Sequence, residues 1–490
     1  MADVTPFASI IAIAGAIGLA AVLSSRFSSL TRIPSPALFL VGGAIAANMA
    51  NGFDPPSERA VERVVTVAVV LILFDGGMHL GLQRFREIAG SVLAVGLTGT
   101  LLTAAALTLG AKVFLGVSWY LSLLVGTALA PTDPAVVFSV LGKREISGPS
   151  GALLEGESGA NDPVGIALMA ALLSAGSLQA GALGRAALEF AQQIAIGAGF
   201  AALGGLGLLW MMRRVPLPSE GLYPLRVLVG ILLLFGLTTV AHGSGFLAVF
   251  GAGIAIGDAR APYKREVERF HSAIASLGEI VAFVMLGLTV DFNEISRTDV
   301  WLPALAIAAV LTLVIRPVAV GVCLLRSRLN RGERGFVLFS GLKGAVPILL
   351  GSFLLSEHVP HAARLYAIIV IAVAFSVVVQ GGLITTAARL TKVPMKDVEP
   401  EPWSLGVRLL HEPEGVQVLT VAPGSAAVGR SVENFAELAP GIWLSIVVRN
   451  GRLLPIDGST QLAEGDEILA LADADQHAAL RDAVRPSPNS

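Results

Sequence analysis

The stretch Glu155-Gly156-Glu157-Ser158-Gly159-Ala160-Asn161-Asp162-Pro163 gathers carboxylate, hydroxyl and amide oxygens within an otherwise apolar segment. At helical spacing Ser158 and Asp162 share one face, and Glu157 and Asn161 occupy the face beside it. Oxygen ligands of this kind suit a hard cation. A carboxylate held away from water is also a group for which a cation and a proton can compete. At membrane depth an ionisable side chain costs at least ~2.5–3.5 kcal/mol, which a chain tolerates where function requires it. Asp162 is therefore the candidate for an essential charge; the alternative is an aspartate satisfied by Asn161 or by a backbone group.

Three further groups belong with it. In Ala130-Pro131-Thr132-Asp133-Pro134 a carboxylate stands between two prolines, which remove backbone donors and predict an unwound stretch. At membrane depth broken backbone is tolerated where it is buried in protein or lines a wet cavity, and its freed carbonyls can face a cation. The alternative is a loop end outside the membrane. Arg316, in Leu313-Val314-Ile315-Arg316-Pro317, is a lone mid-helix cation that needs a carboxylate partner, and Glu157 is the candidate for a structural ion pair. In Ser340-Gly341-Leu342-Lys343-Gly344-Ala345-Val346-Pro347 the glycines and proline predict a second break. Lys343 there either offsets negative helix ends or steers ions, or else snorkels from a cytoplasmic helix end. Asp75 and Glu279 read as structural partners or cavity lining. His79, His242 and His271 form no metal-ligand spacing, and the glycines from Gly251 to Gly257 read as close helix packing.

These groups need a membrane to hold them. The 490 residues are 54% hydrophobic and 14% charged, with a mean hydropathy of +0.75, where soluble domains carry roughly 25% charge. The net charge of −2 argues against nucleic-acid binding, and the single cysteine, Cys323, excludes a disulfide framework or cysteine metal cluster. Apolar runs predict helices at 6–25, 34–50, 60–80, 88–115, 119–141, 150–176, 184–212, 223–240, 243–258, 268–290, 300–325, 335–356 and 361–388, about thirteen crossings. The run from Phe7 to Leu23 has no basic residue before it and reads as a retained first helix. Loops holding Arg26 and Arg32, Arg84 and Arg86, Lys143 and Arg144, Arg213 and Arg214, Arg260 to Arg269, and Arg326 to Arg334 alternate with loops poor in basic residues. The positive-inside rule then puts the N-terminus outside and the C-terminus in the cytoplasm, in a multi-pass protein of the inner (plasma) membrane. The breaks near 133 and 343 fall at matching places in two halves, the mark of inverted repeats around a midplane site.

After Lys392 the composition changes. Residues 393–404 read as a linker, and 405–484 as a small cytoplasmic α/β module. Strands are expected at 416–421, 443–448, 452–456 and 467–471, with an Asn450-Gly451 hairpin turn and helices at 431–438 and 475–484. The module shows no phosphate loop, catalytic triad or metal cluster, so it reads as a binding or regulatory unit.

Taken together, Thr132-Asp133-Pro134, Glu157-Ser158 followed by Asn161-Asp162, Arg316-Pro317 and Gly341-Leu342-Lys343-Gly344-Ala345-Val346-Pro347 resemble the monovalent cation/proton antiporter family of the NhaP and sodium/proton exchanger type. The resemblance implies that Asp162 is the main cation and proton carboxylate, helped by Asp133, Ser158 and the Thr132 carbonyl. It implies that Asn161-Asp162 marks electroneutral exchange of sodium or potassium for protons, and that Arg316 pairs with Glu157. Relatives often carry arginine at the position of Lys343. The tail resembles the TrkA-C subdomain of potassium-conductance regulators, which implies dimerisation and a small-molecule ligand. The expectation is a transporter with alternating access, a homodimer in lipid, with no cofactor and no enzymatic activity. A ligand-gated cation channel would need a repeated pore-loop filter, which is not found. A membrane sensor with the tail as output would not need Asp133 and Asp162 at membrane depth.

Overall fold

The computed structural model describes residues 34–49, 56–141, 144–146, 148–327, 329–397, 416–438, 442–449, 452–471 and 476–485, with isolated positions 15, 18 and 19. Apart from those three isolated positions, the helix expected at 6–25 lies outside the described residues, as does the Asn450-Gly451 turn. The chain divides into two compact units, Met1–Glu399 and Pro400–Ser490.

The first unit is helical: α1 (Ser35–Met49), α2 (Glu58–Leu80), α3 (Leu82–Leu115), α4 (Trp119–Ala128), α5 (Ala135–Leu141), α6 (Pro149–Ala175), α7 (Ala180–Arg214) and α8 (Leu222–Val240). There follow α9 (Gly245–Gly257), α10 (Lys264–Leu288), α11 (Thr298–Cys323), α12 (Arg331–Phe339), α13 (Ala345–Ser356), α14 (Ala362–Gln380) and α15 (Ile384–Thr391). Among the described residues, six helices are long and apolar enough to cross a membrane: α3, α7, α8, α10, α11 and α14. That is fewer than the expected crossings, because other apolar helices are short and the expected segments 119–141 and 335–356 are each divided by non-helical backbone. On α7 Leu203, Leu206 and Trp210 are exposed, an apolar surface that water would penalise and lipid would cover.

Local chemistry sets the helix ends. Ser57, Ser118 and Ser244 cap α2, α4 and α9 with side-chain oxygens. Asn330 and Glu333 close a reciprocal capping box on α12. Gly116 and Gly176 end α3 and α6 in the left-handed conformation that glycine adopts without strain. Elsewhere glycine serves close approach: Gly77 on α2 meets Gly253 on α9, where a Cβ on either would run into the facing backbone.

Two short strands, β1 (Arg144–Ile146) and β2 (Met395–Asp397), pair antiparallel, with Arg144 opposite Asp397 and Ile146 opposite Met395. The segment expected to begin a linker is therefore hydrogen-bonded at 395–397 to the loop between α5 and α6.

The second unit is a sheet of β3 (Val416–Thr420), β4 (Trp443–Arg449), β5 (Arg452–Leu454) and β6 (Glu467–Leu471) in the order β3-β6-β4-β5, all neighbours antiparallel. With α16 (Val432–Leu438) and α17 (His477–Val484) it encloses a core that includes Val421, Phe435, Val447, Ile468 and Leu480. Arg449 forms a fork onto buried Asp466, with both N–O distances 2.7 Å.

Candidate functional site

The site forms where two interrupted helices meet. α4 stops at Ala128 and α5 starts at Ala135; α12 stops at Phe339 and α13 starts at Ala345. Pro131 and Pro134 cannot donate backbone hydrogen bonds, and Gly341 and Gly344 flank the second gap, so neither helix runs through. The gaps are tied directly: the Asp133 amide donates to the Leu342 carbonyl at 2.8 Å.

Each interruption leaves unmatched backbone groups, and each supplies the charge the other needs. The ammonium of Lys343 donates to the carbonyls of Ala130 and Pro131, both at 2.9 Å, at the carbonyl-bearing end of α4. The carboxylate of Asp133 lies against Gly344, at the amide-bearing start of α13, and accepts from the Ala135 amide at 2.9 Å. Lys343 is 1% exposed, so it offsets helix ends and does not snorkel. Its contacts also occupy the carbonyls of Ala130 and Pro131, which unwinding alone would have offered to a cation.

The third contributor is α6. Pro163 removes the amide that would have bonded the Gly159 carbonyl and loosens the helix beside the polar cluster. Glu157, Ser158, Asn161 and Asp162 are all buried. Arg316, on α11 directly after a π-helical turn at Leu311–Ile315, reaches Glu157 through two nitrogens at 2.8 and 3.1 Å. Two further N–H donors bond the carbonyls of Leu338 and Val337, each at 3.1 Å, at the end of α12. The guanidinium thus has both a counter-charge and backbone acceptors, the condition under which a buried ion pair is tolerated.

Thr132 links this pair to the first break. Its hydroxyl donates to Glu157 at 3.3 Å and accepts from the Asn161 amide at 2.7 Å, while its backbone N–H donates to Asn161 Oδ1 at 3.3 Å. Asn161 therefore holds Thr132 and does not satisfy Asp162. Asp162 Oδ1 is buried without a hydrogen-bond partner. A buried carboxylate oxygen to which nothing donates is a ready place for a positively charged ligand.

Some groups that position the site carry weak sequence signals. The Lys343 amide donates to Ser376 Oγ at 3.1 Å, and Ser376 donates to Gln380 Oε1 at 2.9 Å. Gln380 in turn donates to the Phe339 carbonyl at 2.5 Å and accepts from Thr312 at 3.2 Å. Its isolation in the apolar run Val377-Val378-Val379-Gln380 was the available clue. Asp75 accepts from Ser272 on α10 at 2.8 Å. His271 is buried against Phe74 and bonds the Val267 carbonyl at 2.8 Å. A large open cleft of about 1280 Å³ is lined by Arg84, Glu87, Glu155, Cys323 and Lys396 among others, and its walls include neither Asp133 nor Asp162.

Residues 16–390 match the family described as sodium/hydrogen exchanger, transmembrane, and residues 416–485 match the TrkA-C domain. The K(+)/H(+) antiporter NhaP2 of Shewanella oneidensis is 31% identical over 479 residues, covering 96% of this chain and 82% of the relative. The K(+)/H(+) antiporter NhaP of Alkalimonas amylolytica is 31% identical over 468 residues, covering 94% and 80%. The Na(+)/H(+) antiporter NhaP of Pseudomonas aeruginosa is 26% identical over 349 residues, covering 65% and 79%. The solved sodium proton antiporter MjNhaP1 of Methanocaldococcus jannaschii shares the fold, with a TM-score of 0.64 and 21% identity over 76% of this chain and 99% of that one.

Proposed function

The chain belongs to the transmembrane sodium/hydrogen exchanger family, and from that premise we propose that it exchanges a monovalent cation for protons across a membrane by alternating access. The observation that carries this reading is Asp162: a buried carboxylate with an unpartnered oxygen, beside the crossing of the two breaks. Asp133 and Ser158 complete the ion-binding surface, with Thr132 held in place by Asn161. Glu157 and Arg316 keep the site's shape and carry no ion.

Charge count supports a monovalent load. The carboxylates of Asp133, Glu157 and Asp162 face two bases, Arg316 and Lys343, leaving a deficit that one cation or one proton removes. Occupation by either then excludes the other, and exchange needs no separate coupling device. We assign electroneutral one-for-one exchange on the Asn161-Asp162 pair, with potassium the first cation to test because relatives matched over nearly all of this chain are named K(+)/H(+) antiporters. The same reading holds about thirteen crossings, including inverted repeats, with the N-terminus outside and the C-terminus in the cytoplasm. It includes a homodimer in the inner membrane and a separate domain at 405–484 that binds a small molecule and regulates exchange.

Purified protein in proteoliposomes with an acid interior tests the proposal. Addition of potassium, sodium or lithium should collapse the pH gradient for wild type and not for Asp162→Asn. Persistence of the gradient with every cation, in the full chain and after deletion of residues beyond Asp397, would refute antiport.

A further inference from the structure

The large cleft lies off the ion site, and its walls change character along their length. Its mouth is charged: Arg84 and Glu87 stand in the first two turns of α3, and Lys396 comes from β2. Because α3 is long and apolar enough to cross a membrane, its first turns lie at a membrane surface. From Arg84 the wall continues along α3 through Ile88 and Ser91 to Ala94, about 15 Å of helix. Phe138 of α5, Leu153 of α6, and Val322 and Leu325 at the end of α11 add apolar wall. Val322 and Leu325 are 56% and 68% exposed, surface that water would penalise and hydrocarbon would cover. A cleft charged at its mouth and apolar within has the polarity of an amphiphile.

The charges narrow the choice. The charged lining residues are Arg84 and Lys396 against Glu87 and Glu155, so their formal charges cancel. A purely basic pocket would select an anionic headgroup; a balanced one suits a zwitterion. Among the described residues, Arg84, Glu87 and Lys396 form no ion pair or side-chain hydrogen bond, so their polar ends are not already committed. A guanidinium and an ammonium match a phosphate. The Glu87 carboxylate only accepts, so it matches a primary ammonium, which has N–H donors, better than a quaternary one, which has none. At about 1280 Å³ the cleft also exceeds the roughly 300–1,000 Å³ of ordinary small-molecule pockets.

We propose that this cleft is a binding site for one phospholipid with a phosphoethanolamine headgroup. The phosphate sits on Arg84 and Lys396, the ammonium on Glu87, and the acyl chains over Phe138, Val322 and Leu325. Such a lipid touches α3, α6 and α11 together, and the last two carry Glu157 and Arg316. Cys323 in its wall lies against Gly99 in the π-helical turn Ala94–Gly99, and Gly96 of that turn packs on Ala160 of α6. The lipid therefore braces the helices behind the ion site without entering it, and its binding does not depend on the antiporter reading.

Cys323 supplies the test, because it lines the cleft and is the single cysteine of the chain. The full-length protein, stripped of lipid in detergent, is alkylated with a maleimide with and without added phosphatidylethanolamine. The lipid should slow alkylation about fivefold at roughly four times its dissociation constant, and Arg84→Gln and Lys396→Gln should each remove most of that protection. Equal rates with and without the lipid overturn the site. Equal protection by phosphatidylglycerol overturns the headgroup assignment, and equal protection by glycerophosphoethanolamine, which has no acyl chains, overturns the lipid. Protection that survives both substitutions means adventitious coverage by amphiphile only and overturns the proposal. Should the variants fail to fold, native mass spectrometry of the wild type decides. One phosphatidylethanolamine retained per chain in preference to phosphatidylglycerol is expected, and no such preference overturns the proposal.

Discussion

Glu157 and Asp162 sit on the same helix, more than one turn apart, in nearly equal burial, at 2% and 7% exposed. Their surroundings differ completely. Glu157 receives two guanidinium nitrogens and the Thr132 hydroxyl, while Asp162 has a buried oxygen that nothing donates to. Burial alone therefore says little about a carboxylate's part in the molecule. What separates a fixed charge from an exchangeable one is whether the fold has already spent donors on it.

The sharpest way to break this contrast is Arg316→Ala, which strands Glu157. Loss of about 3–5 kcal/mol is expected, read as a large fall in the unfolding temperature in detergent; a fall no greater than that of Ser158→Ala would show Glu157 is not held this way. Gly341→Ala comes next, since its Cβ would overlap the Arg316 guanidinium. Overpacking of this kind costs about 1–3 kcal/mol, and an unchanged unfolding temperature would mean that the guanidinium has room to move. Asn161→Ala removes the ties to Thr132 and should cost about 1–2 kcal/mol; a neutral result would detach Asn161 from the break.

The second unit, Pro400–Ser490, offers a paired charge for calibration. Burial would push the Asp466 carboxyl up, yet hydrogen bonds from Arg449 and the Ala463 amide hold it below the ordinary carboxylate range. A depressed folded value means stabilisation present above roughly pH 4 and lost as pH falls through that lower value. Hydrogen-exchange protection factors at β4 and β6, which correct for the slower intrinsic exchange in acid, should fall as pH is lowered, and Asp466→Asn should remove that acid dependence; equal acid dependence in both would reject the pair as its source. Smallest of all on stability is Asp162→Asn, expected to unfold no earlier than wild type. Marked destabilisation would reveal a hidden partner and erase the contrast with Glu157.

Much of this was legible in the sequence because its causes are local or costly. Pro131 and Pro134 mark one break, and Gly341 and Gly344 the other, through backbone chemistry that needs no tertiary knowledge. The contact between Arg316 and Glu157, residues far apart in the chain, was legible because an unpaired buried guanidinium is so unfavourable. Lys343 was ambiguous for the opposite reason: a long amphipathic side chain can bury or snorkel, and only the position of the Ala130 and Pro131 carbonyls decides. Gln380 and Ser376 were missed because a hydroxyl and an amide cost far less to bury than a charge and so stand out less. Nothing local in Met395-Lys396-Asp397 announces a strand, since its partner lies at Arg144-Glu145-Ile146.

That small strand pair has a mechanical meaning. β1 is the tether between α5, which follows Asp133, and α6, which carries Asp162. β2 leaves its ladder at Asp397, opposite Arg144, the end of the tether nearer α5. Tension applied to the chain beyond Asp397 is therefore borne first at Arg144 and only then at Ile146, so a pull from the C-terminal side loads the Asp133 segment before the Asp162 segment.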